Sequence, residues 1–206
     1  MTILNRLASA LNRRDEIPNQ ALAQEIVRTG DKSAIEELVK NLSNKDKNIQ
    51  SDCIKVLYEI GERKPDLITS YHKEFGKLLE SNNNRLAWGA MTALDAITLD
   101  EPKAVRGLLP GILAIADKGS VITRDHAVGI LVKLASLKQY SQHCFPLLLE
   151  QLKTCPPNQL PMYAEMSASV VNEQNQKAFH KILTQRLPGL AKESQKKRVR
   201  RVLKRL

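Results

Sequence analysis

The side chains able to do covalent or metal chemistry are few and scattered. The four histidines, His72, His126, His143 and His180, fall in separate stretches, and Cys53, Cys144 and Cys155 show no CxxC spacing. The chain has no HExxH, no GxSxG and no phosphate-cradling glycine loop. His143 and Cys144 are neighbours, but consecutive helical residues point about 100° apart and do not face each other. The sequence is therefore read as non-enzymatic, with no catalytic, cofactor-binding or metal-ligating residue.

The elements that position the remaining candidates are set by a repeat. SDCIKVLYEIGERKPDLI from Ser51, WGAMTALDAITLDEPKAV from Trp88 and DHAVGILVKLASLKQYSQ from Asp125 align without a gap at a spacing of 37. Cys53, Ala90 and Ala127 share one column; Leu57, Leu94 and Leu131 share a second; Ile60, Ile97 and Leu134 share a third. A fixed period of this length marks a stacked architecture in which no unit buries its apolar face alone. Aromatic residues make up 4% of the 206 residues, which suits helices packed on helices better than a β-sandwich.

The chain reads as one domain, 1–206. Ile3, Leu4, Leu7, Ala8 and Leu11 stand at helical spacing and predict a capping helix within 1–15. Residues 19–187 predict five helical pairs. The first is a helix near 19–29, a stop at Gly30, and a second helix opened by Asp31 or Ser33 and running to about 43. The others are 49–62 with 65–80; 84–118; 121–153; and 160–171 with 173–187. Pro65 and Pro102 occupy one column, each able to open a second helix where its missing N–H costs nothing. In the fifth pair, Ala164, Ala168 and Val171 are expected to continue the three core columns. A basic helix covers 192–206, its Val199, Val202, Leu203 and Leu206 forming one stripe.

Paired helices of this length, with Pro opening the second, resemble HEAT repeats. That resemblance implies an all-α fold: a right-handed α-α superhelix, or α-solenoid, of about five pairs with N- and C-terminal capping helices. It also implies that second helices line the concave surface. Bacterial DNA alkylation-repair glycosylases are built from similar pairs, and they gather Trp, Asp and Arg on that face. Trp88, Asp95 and Arg106 are the types such a cluster would use, though their spacing does not assemble them.

Two surfaces carry binding candidates. The outward row of the second helices is Asp66, Ser70, Lys73 and Lys77, then Lys103, Gly107, Gly111 and Ala114 beside Pro110. It continues with His143, Leu147, Glu150 and Thr154, and with Lys177, Lys181 and Thr184. A phosphate-tracking groove would repeat Lys or Arg in each unit; this row is mixed and nearly apolar at its middle. Gly107 and Gly111 serve either close packing or approach by a ligand chain. Trp88, whose column mates Ser51 and Asp125 are polar, either packs on the preceding repeat or anchors a partner. The partner-binding candidates are Lys73, Lys77, Trp88, Gly107, Gly111, Ala114 and Leu147.

The second surface is the tail. Of a net charge of +10, residues 192–206 supply eight Lys or Arg and one Glu, leaving +3 for the rest. Lys196, Lys197, Arg198, Arg200, Arg201, Lys204 and Arg205 are nucleic-acid-binding candidates. The helix reads equally as a cap, or as a surface for acidic membranes or proteins. No secretory signal or membrane span is evident and the cysteines are unpaired in pattern, so a soluble cytoplasmic protein is expected. The expected function is a scaffold or adaptor presenting a concave surface to a protein partner, with no cofactor. The alternative is nucleic-acid binding through the tail, including a glycosylase-like enzyme.

Overall fold

The computed structural model describes residues 2–206, and among these there is no β-strand. The chain forms two compact units, one running to Ala127 and the other from Val128 to Leu206. The first unit holds α1 (Ile17–Thr29), α2 (Lys32–Lys40), α3 (Lys47–Arg63), α4 (His72–Leu78), α5 (Asn84–Ala96), α6 (Pro102–Lys118) and the start of α7 (Val121–Ser136). The second holds the rest of α7, then α8 (Lys138–Thr154), α9 (Leu160–Ser167), α10 (Gln176–Arg186) and α11 (Glu193–Arg205).

Local chemistry sets the helix ends. Gly30 closes α1 at φ 68°, a left-handed conformation that suits a residue without Cβ. Asp31 then accepts the Ala34 N–H at 3.0 Å and opens α2. Asp46 does the same for α3 and Asn83 for α5, while Pro102 is the first residue of α6. In the first unit α3 packs between α1 and α5, and α4 lies against α5 and α6. In the second, α9 contacts α8 and α11.

All nine residues of the repeat columns are fully buried, from Cys53, Leu57 and Ile60 through Ala127, Leu131 and Leu134. The 37-residue period is thus a core period. The fifth copy departs from it. Ala164 is buried, but Ala168 and Val171 are only half-buried, and Ser167 and Val170 take the inner places. The cause is that α9 ends at Ser167 and tightens into a 3-10 turn over Ala168–Val170, which rotates the following side chains.

Two predicted helices are replaced by tighter backbone. Residues 2–14 form a 3-10 turn, Ile3–Arg6, followed by irregular turns with Asn12 at φ 53°. Only Leu7 and Ala8 of the expected apolar face are buried, and Leu11 is exposed. Side chains from further along the chain capture this backbone: Asn19 accepts the Ala8 N–H at 3.0 Å and Asp52 the Ser9 N–H at 2.8 Å. The second helix expected over 65–80 shrinks to α4, preceded by 3-10 turns at Pro65–Leu67 and Thr69–Tyr71. Between those turns Ile68 is fully buried, over Gly61, where a Cβ would meet its Cδ1 at 2.6 Å. Asp66 and Ser70 therefore do not share a helix with Lys73 and Lys77.

Candidate functional site: the Trp88 cleft

One face of the first unit opens as a cleft of about 590 Å³. Two helical stripes wall it, Asn48, Ser51, Asp52 and Lys55 on α3 and Arg85, Trp88, Gly89 and Thr92 on α5, each at the i, i+3, i+4, i+7 spacing of one helix face. The turns over 8–16 and Ile122 at the start of α7 complete it. A Cβ on Gly89 would overlap Ile54 Cγ1, so the absent side chain lets α5 lie close against α3. Trp88, one residue earlier, is left half-buried on the wall.

The electrostatics of the cleft are uneven. The Lys55 side chain is 11% exposed, with its Nζ 2.9 Å from Glu16 and 2.7 Å from Glu59, and 4.7 Å over the Tyr58 ring. Burial alone would lower the Lys55 pKa, but hydrogen bonds to Glu16 and Glu59 outweigh it and raise it. Burial likewise favours neutral Glu59, yet Lys55 and Arg63 hold its carboxyl below the ordinary range. Arg13 donates to Asp15 at 2.9 Å, and Asp52 accepts from Asn19 as well as from Ser9, each at 2.8 Å. The lining carboxylates Asp15, Glu16 and Asp52 are thus already engaged within the chain. Arg14 and Arg85 are exposed, and no ion pair joins either among the described residues.

Beneath Trp88 lies a polar chain that sequence reasoning missed. The His126 ring bridges Asp95, 2.8 Å from Nδ1, and the Thr92 hydroxyl, 3.0 Å from Nε2. The Thr92 hydroxyl also lies 3.0 Å from the Trp88 carbonyl of its own helix. This connects α5 to α7 and fixes the turn that carries Trp88. The signal was available only across repeats, since Thr92 and Asp95 lie on one repeat and His126 on the next rather than within one motif. Of the imagined Trp88, Asp95 and Arg106 cluster, Trp88 alone lines the cleft.

The other candidates are dispersed. Lys73 and Lys77 are exposed on α4; Gly107 and Ala114 are exposed and Gly111 half-buried on α6; Leu147 is half-buried on α8, in the second unit. Close packing does not explain Gly107, whose Cβ would meet nothing within 4 Å, and Gly111 would meet only Leu79, at 3.8 Å. On α11, Val199 and Val202 are buried and the helix contacts α9. Arg198 donates to Glu165 at 2.9 Å and Arg200 pairs with Glu193. Lys197, Arg201, Lys204 and Arg205 are exposed, and Lys196 is half-buried. Of the remaining reactive types, His143 is exposed while Cys144 is buried, and burial pushes the Cys53 thiol up to about 12. Among the described residues no three potential ligands group as a metal site, and no helix is long and apolar enough to cross a membrane.

No protein-family model and no curated protein matches the sequence. Solved structures do. An engineered protein from a structural genomics consortium superposes with a TM-score of 0.69 at 18% identity, covering 99% of this chain and 96% of the other. A designed armadillo repeat protein in complex with the peptide (KR)4 gives 0.69 at 16%, covering 98% of each chain. Computationally designed armadillo repeat proteins for modular peptide recognition give 0.69 at 15%, covering 91% of each. At these identities the likeness establishes the fold alone: the chain is an armadillo/HEAT-like helical-repeat solenoid.

Proposed function

We propose that the chain is a non-catalytic scaffold or adaptor that binds a protein partner, with the Trp88 cleft as its anchor point. The carrying observation is the half-buried Trp88 on a walled, polar-and-apolar lined cleft, the setting in which interface tryptophans contribute most. Designed neighbours of this fold recognise peptides, which supports the same kind of partner here. Lys73, Lys77, Gly107, Gly111, Ala114 and Leu147 line other surfaces and rank below it. The three cysteines are buried, which suits a reducing compartment, and we place the protein in the cytoplasm.

A second reading, nucleic-acid binding through α11, has its own observation: the exposed cations Lys197, Arg201, Lys204 and Arg205 lie outside the buried Val199 and Val202 stripe. A photo-cross-linking residue placed at position 51 on the cleft wall, or at 77 or 204, separates the readings in a host extract with and without nuclease. We expect protein adducts from position 51, unchanged by nuclease. Adducts formed only from position 204 and lost with nuclease would reverse the order.

A further inference from the structure

We propose that the Trp88 cleft takes a short acidic peptide segment of its partner, with a large apolar side chain against Trp88 and carboxylates on Arg85 and Arg14. This rests on the binding reading above and adds the chemistry of the ligand. Arg85 precedes Trp88 by three residues, so the two side chains are neighbours on one face of α5. A single segment can therefore meet an aromatic surface and a guanidinium at once. Ile122, exposed and also on the lining, extends the apolar part.

The sign of the ligand follows from which charges are unspent. Asp15 is held by Arg13, Glu16 by Lys55, and Asp52 by Ser9 and Asn19. A basic peptide would have to displace these partners. Arg14 and Arg85 have no such partner to lose, and a planar guanidinium suits a carboxylate in bidentate geometry. A nucleic-acid strand fits less well. It places phosphates at regular short intervals and draws affinity from a run of cations, whereas here three carboxylates interrupt Arg13, Arg14, Lys55 and Arg85. An isolated carboxylate next to an apolar residue avoids that repulsion.

Trp88 is the only tryptophan, so its fluorescence reports occupancy of this cleft. The test selects binders from a displayed pool of random heptapeptides on the intact chain, then titrates the enriched peptides and a twelve-nucleotide single-stranded DNA against Trp88 emission. We expect enrichment of Asp or Glu beside Leu, Phe or Trp. Arg85→Glu should weaken the enriched peptides about tenfold or more, the scale of an interface hot spot, and Arg85→Lys should restore part of the loss. Circular dichroism of the exposed-site variants checks folding, and Trp88→Phe in the selection step checks the site. Trp88-dependent enrichment of neutral or basic peptides would overturn the acidic assignment and leave the protein-binding reading intact. An absence of any Trp88-dependent peptide would overturn both. An Arg85-dependent response to the DNA, with none to peptides, would overturn both in favour of nucleic acid.

Discussion

The first and second helices of the repeats are built to different standards. α3, α5 and α7 carry the three columns in register, every member fully buried. Their partners are irregular: α4 is cut to His72–Leu78, and α6 and α8 each contain an internal proline, Pro110 and Pro146. The difference bears on where a binding surface can be held. A helix seated by Ala90, Leu94 and Ile97 has little freedom to rotate, so Arg85, Trp88 and Thr92 keep their relative positions. The outward row on α4 and α6 stands on less regular backbone: Phe75 and Leu79 are buried at the same spacing as Ile112 and Ala116, but α4 is short and α6 carries Pro110. The cleft therefore belongs to the helices that the HEAT resemblance did not single out for contact.

Perturbations of the two helix classes should diverge accordingly. Leu94→Ala, in the central column, should cost about 2–5 kcal/mol in denaturant unfolding, from lost burial and the residual cavity. Gly89→Ala follows at about 1–3 kcal/mol, because its Cβ would overlap the buried Ile54 and force α5 off α3. Glu59→Gln should cost about 1–2 kcal/mol at neutral pH by weakening the bonds to Lys55 and Arg63. The Glu59 pKa is depressed in the fold, so its contribution is present above the ordinary carboxylate range. It is lost as pH falls through the folded value, and the gap between wild type and variant should close in acid. On the second helices the sign reverses. Gly107→Ala should stabilise by about 0.5–1 kcal/mol, since its Cβ meets nothing and Ala is the better helix former. Lys77→Ala, exposed on α4, should stay within about 0.5 kcal/mol.

What was legible in the sequence was a column repeated from copy to copy, or a signal local to one helix. Leu57, Leu94 and Leu131 announced the core, Gly30 and Asp31 a helix boundary, and Val199 and Val202 the inner stripe of α11. Trp88 stood out because Ser51 and Asp125, its column mates, are polar. The failures involve partners supplied from elsewhere. Ile3, Leu4, Leu7 and Leu11 have helical spacing, but nothing in them reveals that Asn19 and Asp52 take the Ala8 and Ser9 N–H groups. Pro65 reads like Pro102 until the burial of Ile68 over Gly61 is known. The same holds at the site. The Lys55 pairing with Glu16 and the His126 bridge join residues tens of positions apart, at offsets unrelated to any motif.

The most direct test of a binding surface on the first helices is a two-dimensional amide NMR titration with the peptide or partner fragment that binds. The spectrum contains one indole N–H cross-peak, from Trp88, and the amides of Gly107 and Gly111 mark the α6 row. We expect the indole peak to shift with ligand while Gly107 and Gly111 stay within experimental error of their free positions. Movement of the two glycine amides with a stationary Trp88 indole would put the binding surface on the second helices and contradict the central claim.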